Sequence, residues 1–484
     1  MSAQPPASDA LVSRLQEADA AQRAGRHREA VAAFAAAQAL APRDVSLGLA
    51  LANAHTLAGE AEAAIRVLRE TAAHDDRSDL SRSYALGAAL LAAGEAALAV
   101  EAFEPVARAR ANDGAALCAL AGALRTAGNP ERAWTLVRRA LALDASAGPT
   151  LLAAAQVRHD LGDLSGAQEW LAQARAARPD HAPTRLQGAW TTLLGGASTA
   201  GWEAYEARAL PQPATGARRW RGEPLQGASL LVAAEQGIGD QLQFLRFVRA
   251  LRERHVGELV VECHAHLLPL FTSQSIAWPD VRFVPRGAPP ETTWYVPLLS
   301  LPLVLGVNDD VFGAHVPYLH APAQPTVVAP WLPEPRNGLR RLGLVWAGNP
   351  TFPGRATRDL QPSLLSSIVA IPNVQWIALQ QGPAGAVALD GLHHIPALAD
   401  WQQTAAVLAQ LDGLVTTDTG IAHLAGAMGV RTWVLLARVP DWRWGLHGDT
   451  TPWYPNTTLV RATRSGAWTG IVEQLRAHLT PTTD

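Results

Sequence analysis

The chain has 484 residues, of which 48% are hydrophobic and 17% charged, and its formal net charge is −3. That balance suits a soluble protein of about three domains and excludes a polyelectrolyte, so nucleic acid is not an expected partner. All 40 basic residues are arginine, which excludes a Schiff-base or phosphate-loop lysine and leaves any phosphate to arginine, histidine or backbone amides.

Residues 1–10 read as a flexible tail with no basic start followed by an apolar core, and no later stretch is long enough to cross a bilayer; the expected location is cytoplasmic. Gly25, Gly59, Gly94, Gly128, Gly162 and Gly196 then recur every 34 or 35 residues. Five positions after the first five glycines stand Ala30, Ala64, Ala99, Ala133 and Ala167, and four further on Phe34, Leu68, Phe103, Val137 and Leu171. Small residues let two helices approach, and the larger ones fill the gap. This pattern resembles the tetratricopeptide (TPR) repeat, a helix–turn–helix unit of about 34 residues. An α-solenoid is expected over 11–210, with five repeats over 11–180 and a degenerate capping unit over 182–210 that contains Gly201-Trp202-Glu203-Ala204-Tyr205-Glu206. Stacked repeats offer a polypeptide an extended surface. Packing on the rest of the chain, or dimerisation, is the plainer use of the same helices.

A proline-rich linker follows at 211–227. From 228 to 321 the pattern alternates strand and helix: strands at 229–234, 258–263, 281–284 and 293–296, helices at 241–252 and 266–274. A second linker at 322–338 leads to the same alternation over 339–484, with strands at 342–347, 375–379, 413–417 and 432–436 and helices at 421–428 and 469–479. Two Rossmann-like doubly wound lobes after an α-solenoid are therefore expected. Cys118 and Cys263 fall in different domains, so no disulfide framework is expected and the compartment reads as reducing.

Two motifs sit where a buried strand runs into a helix: Glu235-Gln236-Gly237-Ile238-Gly239-Asp240 and Asp418-Thr419-Gly420-Ile421-Ala422-His423. Open α/β sheets bind ligands at the carboxyl ends of their strands. A helix starting near Gly420 turns free amides and a positive dipole end toward an anion. Thr419 adds a hydroxyl, Gly420 permits close approach, and His423 leans back toward the helix start, placed to bind phosphate oxygen or supply charge to a leaving group. The plain alternative makes Asp418 and Thr419 helix caps and His423 a satisfied buried histidine. Asp240, after Gly237 and Gly239, is either a cap or a general base that takes the proton of an attacking hydroxyl. Glu235 is the reserve base, or else a group that bonds loop amides or holds an arginine.

These motifs, with Gln243-Phe244, the run from Val345 to Pro350, Pro440-Asp441-Trp442-Arg443-Trp444 and Pro452-Trp453-Tyr454-Pro455, resemble the bacterial TPR-repeat glycosyltransferases, whose catalytic half is similar to the heptosyltransferases. The resemblance implies a GT-B enzyme that is inverting and metal-independent. It would move a sugar from a nucleotide-sugar donor in the second lobe to a hydroxyl held by the first, with flagellin or another surface protein as the kind of acceptor. It makes Asp240 the base and places the donor among Asp418, Thr419, Gly420, His423 and Asn349. Arg355, Arg358, Arg438 and Arg443 are the candidate diphosphate clamps, because no Asp-x-Asp triplet offers a divalent ion. Trp442, Trp444, Trp453 and Tyr454 are possible stacking residues, though large aromatics more often build core. Cys263-His264-Ala265-His266 lacks enough converging ligands for a metal, so neither metal nor cofactor is expected. The loop Phe352 to Asp359 departs from the family pattern, and the lysine that heptosyltransferases use near the donor is absent. Alternatives are a TPR adaptor with an inactive GT-B domain, or transfer to a lipid-linked or oligosaccharide acceptor.

Overall fold

The computed structural model describes residues 7–72, 80–213, 215–254, 256–274, 277–307, 312, 315–322, 329–349, 352, 357–464, 468 and 470–480. Its contacts divide the chain into one compact unit of residues 1–161 with 350–357, and a second of 162–349 with 358–484.

The first unit is a helical repeat. Helices pair as Ala7–Arg23 with His27–Leu40, Val45–Leu57 with Ala61–Ala72, Leu80–Ala92 with Ala96–Ala109, and Gly114–Thr126 with Pro130–Leu143, followed by Gly148–Asp160. The periodic glycines have a local cause. Gly25, Gly59, Gly94 and Gly128 hold φ between 71° and 82°, a left-handed conformation that costs any other residue a Cβ clash. The next amide then reaches back toward the preceding turn, as in Arg26 N to Ala21 O at 2.9 Å and Asn129 N to Leu124 O at 2.8 Å, which closes the helix end. Ala30, Ala64, Ala99 and Ala133 are fully buried, with Phe34, Leu68, Phe103 and Val137 beside them. A Cβ on Gly87 would lie 2.8 Å from the Phe103 ring, so the small residue sets how closely those helices approach.

The second unit begins with three more helices of the repeat pattern, Leu164–Ala177, Ala182–Leu194 and Thr199–Tyr205, so the degenerate sixth unit is a helical hairpin. Two all-parallel sheets follow. The first contains β1 (Arg218–Arg219), β2 (Leu230–Ala233), β3 (Leu259–Cys263), β4 (Val281–Pro285) and β5 (Trp294–Pro297) in the order β1-β5-β2-β3-β4. The second contains β6 (Arg340–Val345), β7 (Val374–Ala378), β8 (Leu392–His394), β9 (Gly413–Thr417), β10 (Thr432–Leu436) and β11 (Thr457–Arg461) in the order β11-β10-β9-β6-β7-β8. Counted from its own first strand, this second sheet reads 3-2-1-4-5-6 from the β8 edge, the dinucleotide-fold arrangement in which the winding direction reverses between strands 1 and 4. Those two strands are β6 and β9, paired in register from Leu342 with Gly413 to Val345 with Thr416. The first sheet reverses between β2 and β5, which pair from Leu230 with Trp294 to Ala233 with Pro297.

Burial explains the strand assignments, since β2, β3, β9 and β10 are buried at every position, as parallel strands covered on both faces must be. Alternation divides the second sheet between two cores. Leu342, Leu344, Val415, Trp433 and Leu435 face helices Pro362–Val369 and Ile471–Leu479. Leu414, Val434 and Leu436 join a core continuous with the first lobe. The terminal helix thus packs on its own lobe. Within the expected linker at 211–227, Arg218 and Arg219 pair with β5 and Trp220 is buried, because an aromatic of that size is worth more inside than in solvent.

Candidate functional site

Helix Ile238–Leu251 follows β2 and helix Gly420–Ala427 follows β9, and their N-terminal ends meet. A Cβ added to Gly239 would stand 3.0 Å from His423 Cδ2 and 3.3 Å from Gly420 Cα, so glycine is what allows the two motifs to touch. Both helix starts carry positive dipole ends, and three carboxylates gather around them. Asp240 accepts from its own helix start, Gly237 N, at 2.9 Å, and pairs through its other oxygen with Arg443 Nη2. Arg443 also donates from Nε to Gln243 Oε1 at 2.9 Å and from Nη1 to Asp441 Oδ1 at 2.8 Å. Arg358 lies between Asp441, 2.9 Å from Nη2, and Asp418, 3.3 Å from Nε. Asp418 accepts from Trp444 Nε1 at 2.8 Å.

Burial and charge set the protonation states. Burial raises the Asp418 carboxyl above its ordinary value, and Arg358 only partly offsets it. Burial also opposes ionisation of Asp441, but Arg443 and Arg358 together hold it down at about 2. Arg443 is raised, because Asp240 and Asp441 outweigh its own desolvation. Two guanidinium groups and two helix ends of roughly half a charge each balance three carboxylates. An entering anion must therefore exchange with a carboxylate or meet one that is protonated.

His423 is buried and its ring is stacked on Trp444 at 5.2 Å, with Nδ1 3.0 Å from the Tyr454 hydroxyl. Burial, reinforced by Arg443, lowers its pKa to about 3. It is neutral at neutral pH, so it supplies no positive charge to a leaving group. The capping alternative fails as well: Thr419 stands at the N-cap of helix Gly420–Ala427 but its side chain makes no cap bond, and Asp418 accepts from Trp444 instead. Thr419 Oγ1 instead shares a hydrogen bond with Thr416 Oγ1 at 2.8 Å. Glu235 is corrected from reserve base to structural anion. It accepts Arg208 Nε and Nη2, both at 2.8 Å, and Leu299 N at 2.8 Å, and is 3% exposed. This network fills the reversal point of the first sheet.

The four aromatics are core rather than stacking surfaces. Trp442, Trp444, Trp453 and Tyr454 are each buried. Trp453 stacks on Phe312 at 4.0 Å, and Trp442 meets Trp202 edge-on at 5.4 Å. Of the remaining candidates, Gly348 N donates to Asp359 Oδ1 at 2.9 Å, and a Cβ there would stand 3.7 Å from Thr419 Cγ2. The loop that carries Asn349 thus leaves β6 beside Thr419. Arg438 is exposed, and Arg355 lies outside the described residues. Cys263 is buried, its thiol pushed up to about 12 by burial and then by Glu262. His264 and His266 stack on each other at 5.4 Å, and no cluster of three metal-ligating side chains occurs among the described residues.

Sequence reasoning missed Tyr205, Arg208 and Arg246. Arg246 is buried and donates to Trp453 O at 2.7 Å, Gln243 O at 2.9 Å and Tyr318 Oη at 3.0 Å, beneath the rings of Tyr454 and Tyr318. The available signal was an arginine set between the apolar pairs Phe244-Leu245 and Phe247-Val248. Gln241 Nε2, Gln243 Nε2 and Thr417 Oγ1 are buried without a partner among the described residues, the kind of polar group that carries a cost unless something bonds it.

A TPR-like helical repeat joined to two parallel α/β sheets, with a charged junction where the helices after β2 and β9 meet, is the class of protein that this fold and site define. No family model matches the chain. It is 26% identical over 352 residues to protein FlbA of Caulobacter vibrioides, covering 64% of this chain and 58% of that protein. The chain thus spans less than two thirds of the curated relative's length. Among solved structures, it is similar to a thermophilic TPR protein of Thermus thermophilus, with 19% identity, covering 38% of this chain and 99% of that one, and a TM-score of 0.34. It is also similar to YrrB, described as a TPR protein with an unusual peptide-binding site, with 16% identity, covering 38% of this chain and 97% of that one, and a TM-score of 0.29. No described helix is long and apolar enough to cross a membrane.

Proposed function

We propose that the second unit is a GT-B glycosyltransferase that binds a nucleotide-sugar at the reversal point of the second sheet and transfers its sugar to a hydroxyl, with inversion and without a metal. The observation that carries this reading is the pairing of β6 with β9 in a 3-2-1-4-5-6 sheet. It brings the Gly348-Asn349 loop and the uncapped helix start at Thr419-Gly420 to the crevice where such sheets take ligands. Asp240 arrives from the other lobe at the same place. A donor diphosphate takes Arg443, and with it Arg358, in exchange for carboxylates. Asp240 released from Arg443 is then the base that accepts the acceptor's proton as the hydroxyl attacks the anomeric carbon. The guanidinium groups neutralise charge on the departing nucleoside diphosphate. The helical repeat selects a polypeptide acceptor.

One observation favours a second reading, a scaffold without catalysis. Both Asp240 oxygens are already committed, one to Gly237 N and one to Arg443. The two readings separate on incubation with a panel of nucleotide-sugars. The transferase releases nucleoside diphosphate, and its Asp240→Asn variant does so slower by about 10² or more, while a scaffold releases none with any donor.

A further inference from the structure

The sixth helical hairpin is built into the charged junction. Its last residue, Tyr205, and the turn after it meet the glycine turn of the first lobe. Arg208 grips Glu235 with two parallel bonds, bonds Ser300 Oγ at 2.9 Å and lies over the Tyr205 ring at 4.8 Å. Gln236, the next residue of the turn, holds φ at 55°, an unfavourable conformation for a side chain with a Cβ. Its Nε2 donates to the Tyr205 hydroxyl at 2.9 Å. Trp202, one turn earlier in the hairpin, meets Phe244 of the first lobe and Trp442 of the second edge-on at 6.2 and 5.4 Å. Gly237 and Asp240 follow directly from this turn. Among the charges acting on the buried Tyr205 hydroxyl, Arg443 and Asp240 stand first.

We infer that Tyr205 and Arg208 are positioning residues for the candidate site: the last repeat fixes the Glu235-Gln236-Gly237 turn and, through it, the direction of the Asp240 carboxylate toward Arg443. The inference rests on the reading of Asp240 as the base. Its consequence is that the last repeat and the transfer centre are one working unit, since the final hairpin supplies the turn's supports. A fork of two parallel bonds needs guanidinium geometry, and a neutral hydroxyl bond needs the phenol, so conservative variants remove the restraint without emptying the core.

The test uses full-length Tyr205→Phe and Arg208→Lys beside the parent protein, with hydrogen exchange of residues 234–241 and steady-state transfer as readouts. The expected result is exchange faster by about five- to tenfold in the turn, while exchange of helix Gly420–Ala427 stays unchanged. In the same variants kcat falls by a similar factor at constant donor KM. Faster exchange in the variants of a parent protein that turns over no nucleotide-sugar supports the positioning claim and sinks the transferase reading alone. Unchanged exchange in both variants overturns the inference, and so does faster exchange with unchanged kcat in an active enzyme.

Discussion

His423 offers the sharpest quantitative test of how the junction is built. Burial first, then Arg443, Arg246 and Arg358 disfavour its charged form, and Asp441 alone favours it. Its folded pKa of about 3 lies below the ordinary 6.5. Below pH 6.5 the unfolded chain therefore binds a proton that the folded chain refuses, so stability falls as pH falls through that window. Between pH 7.5 and 5.0 the loss is about 2 kcal/mol, from roughly 1.5 pH units at about 1.36 kcal/mol each. Asp441, lowered to about 2, contributes stability that is lost only below its ordinary value of 3.8, outside this window. Asp418 is raised and so acts in the opposite sense toward acid, equally in parent and variant. Denaturant unfolding of the parent and of His423→Gln at both pH values isolates the term. The parent should lose about 2 kcal/mol more than the variant; equal losses would refute a buried neutral histidine stacked on Trp444.

Four further outcomes are expected. Arg208→Ala leaves Glu235 buried without its guanidinium and should cost about 3–5 kcal/mol in denaturant unfolding, whereas Arg208→Met with Glu235→Leu should recover most of it. Gly426→Ala puts a Cβ 2.5 Å from the buried Tyr454 ring and should cost about 1–3 kcal/mol. Gly122→Ala, with nothing within 4 Å of the new Cβ and inside helix Gly114–Thr126, should stabilise by about 0.5–1 kcal/mol; thermal melts decide both. Asp240→Asn keeps an acceptor for Gly237 N but frees Arg443, so calorimetry should find inorganic pyrophosphate bound several-fold more tightly. Transfer should fall by about 10² or more, and weaker pyrophosphate binding would contradict the exchange of anions on Arg443.

The chain's architecture was legible where local stereochemistry dictates residue type. Only glycine suits the left-handed turn after each repeat's first helix, so Gly25 to Gly162 announce the helical hairpins. Strands buried on both faces read as apolar runs, which is why β9 and β10 fall at the expected residues. β1 and β8, two and three residues long, exist only through pairing and left no pattern. The candidate site was legible as places rather than partners. Asp240 and Asp418 do stand at strand exits that meet, but nothing local says that Arg443, 203 positions from Asp240, takes up one of its oxygens. Glu235 and His423 have the residue types of a base and an anion ligand. Their tertiary neighbours, Arg208 in one case and Trp444 with Tyr454 in the other, decide that one is a bound structural anion and the other a neutral core group.

A nucleotide-sugar is proposed to sit at the reversal point between β6 and β9. Hydrogen exchange of the full-length protein, with and without the nucleotide-sugar that raises its melting temperature most, tests this directly. Donor binding there protects residues 346–349 and 418–424. Protection confined to the repeats or to the turn at 234–241, with those two segments unchanged, would contradict it.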